Sequence, residues 1–371
     1  MRRALLLLLL ALLSALLIAY SAWIQWRPAS YYLSDLRSSL AFSQGSDTGR
    51  GNLLGIQPEL YRADYRSALH LHRKLAAYLD KAREEGLLNA RTVVVLPEHI
   101  GTWLVATDEK REVFAAHDLA EARVWLGLTH PLELIRALLA NQGTARFSDA
   151  LLRMKAEQMA ADYQSLFGGL AETYGVTLVA GSIVLPEPRV EEGVLLVGDG
   201  PLYNVSLVFG SDGLPLGQPQ RKVLPHRDED GFTAAASDTQ LQVVSTPAGR
   251  LGVLIGTDSW RAESYAALIA QQVELLAVPA FLHGNDHWHG TWAGTPGDLR
   301  SRALELSTGE AWLHHALPAR LADSGARAGL TVFMRGQLWG LGSDGQSMAV
   351  QPDRTQIVDE TPGARLFNLW L

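Results

Sequence analysis

The chain contains no cysteine in 371 residues. That excludes disulfide bonds, thiolate metal sites and a thiol nucleophile within it. It also fits an oxidising compartment, where a stray thiol is a liability. An excess of basic residues is lacking as well. The 32 Lys and Arg stand against 39 Asp and Glu, a net charge of −7, so no nucleic-acid partner is expected, because that binding needs a basic face to neutralise phosphates. Charged residues make up 19% and hydrophobic ones 47%, the mix of a chain that buries a core rather than of a disordered tail. There is no internal repeat, and low-complexity sequence is confined to the N-terminal leucines.

One long apolar run is present. Met1-Arg2-Arg3 leads into a stretch from Ala4 to Trp23 that only Ser14, Tyr20 and Ser21 interrupt. About twenty apolar residues are enough for a helix to cross a bilayer. Arg2 and Arg3 favour the cytoplasmic side, which predicts a single-pass protein of the inner membrane with its C-terminal mass in the periplasm or outside the cell. A cleavable signal peptide competes with this reading, but the run is long for one and its best small-x-small site is Ala19-Tyr20-Ser21. A buried core helix is the third reading, disfavoured because no face of the run is polar. Tyr20, Trp23 and Trp26 read as an interfacial aromatic belt. Residues 1–26 are thus expected to be a membrane anchor or uncleaved signal. Residues 27–51, rich in Ser and Gly, read as a linker, and 52–371 as one α/β domain.

Within that domain Asn52–Gln57 and Thr92–Leu96 read as buried strands, and Ser67–Glu85 has helical apolar spacing. Residues 107–160 look largely helical, with an apolar patch at Trp125–Leu128, Leu132, Leu134, Ile135, Leu138 and Leu139. This is either a helical excursion packed on the main core or a lid or membrane-facing element. Strands are expected again at Val176–Val184, Val194–Val197, Tyr203–Phe209, Leu241–Val244, Leu251–Ile255 and Leu275–Val278, with a hairpin turn at Gly210-Ser211-Asp212-Gly213 and a helix from Glu263 to about Gln272.

Three short motifs close predicted strands: Leu96-Pro97-Glu98, the charged stretch Gln220–Glu229, and Gly249–Trp260, a strand that runs into a turn. Each alone is weak, since a lone Glu or Lys in a loop is most often a solvated surface group. Their order and spacing together resemble the nitrilase superfamily, the carbon–nitrogen hydrolases, which cleave nitriles and amides or transfer acyl groups with a Glu–Lys–Cys triad. In this resemblance Glu98 matches the general base, Lys222 the Arg-Lys motif, and Glu229 a further glutamate that positions substrate. Gln57, Ala180-Gly181-Ser182, Tyr203-Asn204, Val278-Pro279-Ala280, Asp286-His287-Trp288 and Arg302-Ala303-Leu304-Glu305 also fall in family positions. The resemblance spans about 52–350. It implies a four-layer αββα sandwich of two mixed sheets flanked by helices, and a homodimer paired through one helical face.

The departure lies in the third motif, where Gly256 stands in place of the family's cysteine and Thr257 follows it, with Asp258 and Trp260 beyond. The family chemistry needs a nucleophile, a carboxylate to handle protons and a cation for the developing oxyanion. Glu98 and Lys222 supply the last two, and Gly256 can attack nothing. Three readings follow. In one the fold is kept for binding, as a pseudoenzyme. In another, Thr257 or Ser259 supplies a hydroxyl nucleophile, although adjacent side chains leave a strand in opposite directions. In the third, Glu98 activates a water in the space left at Gly256. The expected ligand is a small amide- or nitrile-like molecule, or else a protein partner, with Glu229, Asp258, Trp260, His287 and Trp288 at the substrate. His283, Asp286, His287 and His289 have spacing that can bind zinc or copper. The resemblance instead puts a His-Trp pair near the pocket, so no metal and no cofactor are expected. His314-His315 reads as a structural or surface pair on a strand.

Overall fold

Runs of Val, Ile and Leu that are buried on both faces dictate strands covered on both sides. The computed structural model describes residues 2–25, 33–140, 146–225, 233–292, 294 and 306–371. Two six-stranded mixed sheets form its centre. The first runs, in spatial order, Ser38–Gln44, Ala364–Trp370, Asn52–Gln57, Thr92–Val95, Thr177–Val179, Val208–Phe209. The second runs Val243–Thr246, Gly249–Val253, Leu275–Ala280, Ala328–Phe333, Met348–Gln351, Arg354–Ile357. Asn52–Gln57, Thr92–Val95 and Thr177–Val179 are mutually parallel, as are Gly249–Val253, Leu275–Ala280 and Ala328–Phe333. Between the sheets lies an aliphatic core that includes Leu53, Val93, Val253, Leu275 and Leu330.

Nine helices of the described residues follow in chain order: α1 Arg2–Gln25, α2 Ala68–Glu84, α3 Arg111–Ala115, α4 Leu119–Thr129, α5 Pro131–Ala140, α6 Arg146–Tyr174, α7 Ala262–Ile269, α8 Thr308–His315 and α9 Leu317–Arg320. Helices α2 and α6 cover the outer face of the first sheet. Ser67 caps α2, its hydroxyl accepting from the His70 N–H at 3.2 Å, and Leu71, Leu75, Tyr78 and Ala82 form its buried face. Helices α7, α8 and α9 cover the second sheet through Leu268, Trp312, Leu317 and their neighbours. The result is helix, sheet, sheet, helix, as expected.

Several local expectations are corrected. The 27–51 segment is not all linker, because Ser38–Gln44 is a strand paired in parallel with Ala364–Trp370. Val176–Val184 is two strands, broken at Gly181 (φ +66°), where a side chain would collide with the Pro97 carbonyl. His314-His315 ends a helix rather than a strand. Ser307 and Glu310 form a capping box at its start, and that pattern was present in the sequence. Trp26, Glu229 and Arg302–Glu305 lie outside the described residues.

Helix α1 is long and apolar enough to cross a membrane, and its leucines are solvent-exposed. Its C-terminal end touches the domain. The Tyr20 hydroxyl donates to the Leu128 carbonyl, the Trp23 and Trp125 rings lie 6.3 Å apart, and the Lys110 ammonium donates to the Trp23 carbonyl.

Candidate functional site

Parallel strands deliver the chain to a common edge of the sheets, where α/β proteins place their ligands. Glu98 follows Thr92–Val95, and Gly256 follows Gly249–Val253. Lys222 follows Gln220–Arg221, the edge strand of a small sheet whose centre, Leu202–Ser206, carries Asn204. The turn bearing Glu98 is pinned in two ways. Its His99 N–H donates to Ser182 Oγ at 2.8 Å, and Gly181 lets the Pro97 carbonyl approach.

The three elements bring Glu98, Lys222 and Gly256 together. Glu98 Oε1 accepts from Lys222 Nζ at 2.6 Å and from Asn204 Nδ2 at 2.9 Å. Both charged residues are only 2% exposed. Removing such a pair from water is costly, and Asn204 adds a second bond to the same oxygen, Oε1. Glu98 Oε2 has no hydrogen-bond partner among the described residues and faces Gly256. Gly256 itself sits at φ +51°, and a Cβ built on it lies 2.6 Å from Oε2. The carboxylate therefore leaves no room for a side chain at Gly256 unless it moves.

Asp258 organises the turn from below. Its carboxylate accepts from the N–H groups of Val223 at 3.0 Å and Leu224 at 2.7 Å. It thereby ties the Lys222 segment to the Gly256 turn. Burial pushes its carboxyl up to about 7, against the opposing pull of Lys222 and of these N–H donors.

Above the pair opens a cavity of about 1070 Å³. Glu98, Lys222, Gly256, Thr257, Trp260 and His287 all line it. Two residues expected at the substrate do not reach it. Asp258 is wholly buried in the turn, and Trp288 packs into the core with an edge-on ring contact to Phe333 at 5.5 Å. The candidate hydroxyls are engaged: Thr257 Oγ1 donates to the Leu224 carbonyl at 2.6 Å, and Ser259 Oγ to the Gly256 carbonyl at 2.8 Å. Gln57, one of the family positions, is also remote from the cavity and accepts from the Ser347 N–H at 2.9 Å.

Among the lining residues that the sequence reading missed are His99 and Arg123. His99, at φ +61°, brings Nε2 to 3.9 Å from Glu98 Oε1 and turns its ring edge-on to Phe281. Arg123 comes from α4. A histidine after Pro-Glu carries a weak signal, and an arginine among helical leucines carries none.

The family model described as carbon-nitrogen hydrolase matches residues 65–361. The chain belongs to the carbon–nitrogen hydrolase family. The carbon–nitrogen hydrolase fold is also that of several solved structures of an amidase from Nesterenkonia. A cysteine-to-alanine mutant of the Nesterenkonia AN1 amidase, from the nitrilase superfamily, superposes with a TM-score of 0.52 at 17% identity. That match covers 86% of this chain and 90% of that one. A structure of an amidase from Nesterenkonia sp. gives 0.51 at 20% identity, covering 86% and 90%. A glutamate-to-glutamine mutant of the AN1 amidase, with the acetamide moiety of fluoroacetamide added at its active-site cysteine, gives 0.51 at 18% over the same shares. These identities establish the shared fold. No curated protein matches the chain.

Proposed function

We propose that this is a membrane-anchored, extracytoplasmic carbon–nitrogen hydrolase-family protein. In this reading it binds an amide- or nitrile-like ligand beside the Glu98–Lys222 pair without cysteine-based hydrolysis. The observation that carries it is the closure of Glu98 Oε2 onto Gly256 in a chain without cysteine. An unpartnered carboxylate oxygen beside an ammonium is complementary to an amide, whose N–H donates to the first and whose carbonyl accepts from the second. The engagement of the Thr257 and Ser259 hydroxyls by backbone carbonyls weighs against a hydroxyl nucleophile. Anchoring is supported by α1 and by Arg2 and Arg3 at its start.

Residues 28–371, offered a panel of amides and nitriles, are expected to release no ammonia above background. They should still bind some panel members in calorimetry, with binding lost in Glu98→Gln. Turnover that disappears in Glu98→Gln would replace this reading with an active hydrolase using a hydroxyl or water near Gly256. The full chain is expected to stay with the membranes through alkaline carbonate extraction, while 28–371 is released. Release of both would return the N-terminal run to the signal-peptide reading.

A further inference from the structure

The cavity is larger than an amide needs. At about 1070 Å³ it exceeds the range of roughly 300–1,000 Å³ that small-molecule sites occupy. Away from the Glu98–Lys222 pair, Trp103, Val113, Leu126, Leu151, Trp339 and Leu341 form a wing with little to hydrogen-bond. Into this wing α4 places one cation, Arg123. Arg123 has no hydrogen-bond or ion-pair partner among the described residues, and burial alone holds its guanidinium below the ordinary value. Arg123 is half-buried, so water reaches part of it, and its planar guanidinium fork matches a carboxylate or phosphate. An anionic occupant of the cavity would give it the partner it lacks among the described residues.

The other side of the same helix faces outward. Helical spacing puts Leu119, Ala122, Arg123 and Leu126 on the cavity side and Val124 and Leu128 opposite, and the latter two are exposed. On α5, Leu132, Ile135 and Leu139 share one face and are 66%, 54% and 82% exposed. A contiguous exposed apolar patch marks a membrane or partner surface. Here α1 decides between them, because the end of this membrane-length helix contacts α4 at Leu128 and Trp125. The patch therefore lies where the chain would leave the bilayer.

We infer that the cavity takes a long-chain amphiphile with an anionic head, drawn from the bilayer past α4 and α5. Its chain lies in the apolar wing and its carboxylate or phosphate on Arg123. This inference rests on the membrane anchoring and the ligand pocket proposed above, and it names the ligand class.

The test uses the full chain in phosphatidylcholine nanodiscs, with radiolabelled palmitate and palmitoyl lysophosphatidic acid as probes. Both should bind saturably above empty discs, and binding of either alone would identify the head. Arg123→Gln is expected to weaken binding at least tenfold, Arg123→Lys to retain part of it, and Arg354→Gln, exposed on the edge strand of the second sheet, to leave it unchanged. Butyrate and inorganic phosphate, each a head without a chain, should not compete at equal concentration. Thermal unfolding of each variant checks that the fold is kept, and Leu126→Trp provides a second route by filling the wing. No saturable excess, equal binding by Arg123→Gln, or equal competition by butyrate or phosphate would overturn the inference. Its failure is separable from that of the anchoring. A chain released by carbonate that still binds palmitate through Arg123 loses only the membrane, and a chain retained in membranes that binds neither probe loses only the amphiphile.

Discussion

Lys222→Met is expected to destabilise the folded domain by about 3–5 kcal/mol, the usual cost of removing one partner from a buried ion pair. The pair is 2% exposed on both sides and bonded at 2.6 Å, so loss of the ammonium leaves a carboxylate largely removed from water. Methionine keeps most of the length of the lysine stem, which confines the change to charge and hydrogen bonding. Glu98 would retain only the Asn204 amide at 2.9 Å. Urea denaturation of residues 28–371 reads the loss as a shift of midpoint at constant slope. The double variant Glu98→Gln with Lys222→Met should lose less than the sum of the two single changes, because each single change strands a charge and the pair of changes strands none. A loss below about 1 kcal/mol, the value of a solvated surface pair, would mean that the site is wet and the pair incidental.

Gly256→Cys is expected to leave ammonia release at background while costing about 1–3 kcal/mol of stability. The backbone there sits at φ +51°, a region that a residue with a Cβ occupies only under strain. The added Cβ would meet Glu98 Oε2 at 2.6 Å. The carboxylate end can move, but only by giving up its bond to Lys222 or to Asn204. A thiol added there therefore disturbs the carboxylate that would have to take its proton. Gly256→Ala separates geometry from chemistry, since it should show the same stability loss without a thiol. Amide turnover by the cysteine variant, with wild-type stability, would show that Glu98 yields easily and that the site is one substitution from catalysis.

The strands that local pattern specifies strongly were legible. Asn52–Gln57 is found with the predicted ends, and Thr92–Val95 carries buried β-branched residues on both faces, a demand only a covered strand meets. Errors came where a tertiary partner changed the outcome. Tyr203–Phe209 looked continuous, but Leu202–Ser206 pairs in a small sheet and Val208–Phe209 in the first large one, and no local signal marks the exchange. Ser38–Gln44 alternates too weakly to announce a strand. It is held by Ala364–Trp370, over three hundred residues later in the chain. In α2, Leu71 and Leu75 are buried while Leu69 is 55% exposed, since propensity reports the helix but not its rotation against the sheet.

The sequence alone determined the absence of a thiol and the apolar N-terminal run, and its resemblance to a family implied the layer order and drew attention to Glu98, Lys222 and Gly256. These follow from composition, apolar patterning and motif order, which survive without coordinates. Only the tertiary structure decided that Glu98 Oε2 faces Gly256, that Asp258 and Trp288 serve the scaffold rather than the cavity, and that Arg123 lines the cavity without a partner among the described residues. Each of these depends on side chains from separate elements meeting in space. Distance and desolvation are properties of such meetings and cannot be read from neighbours along the chain.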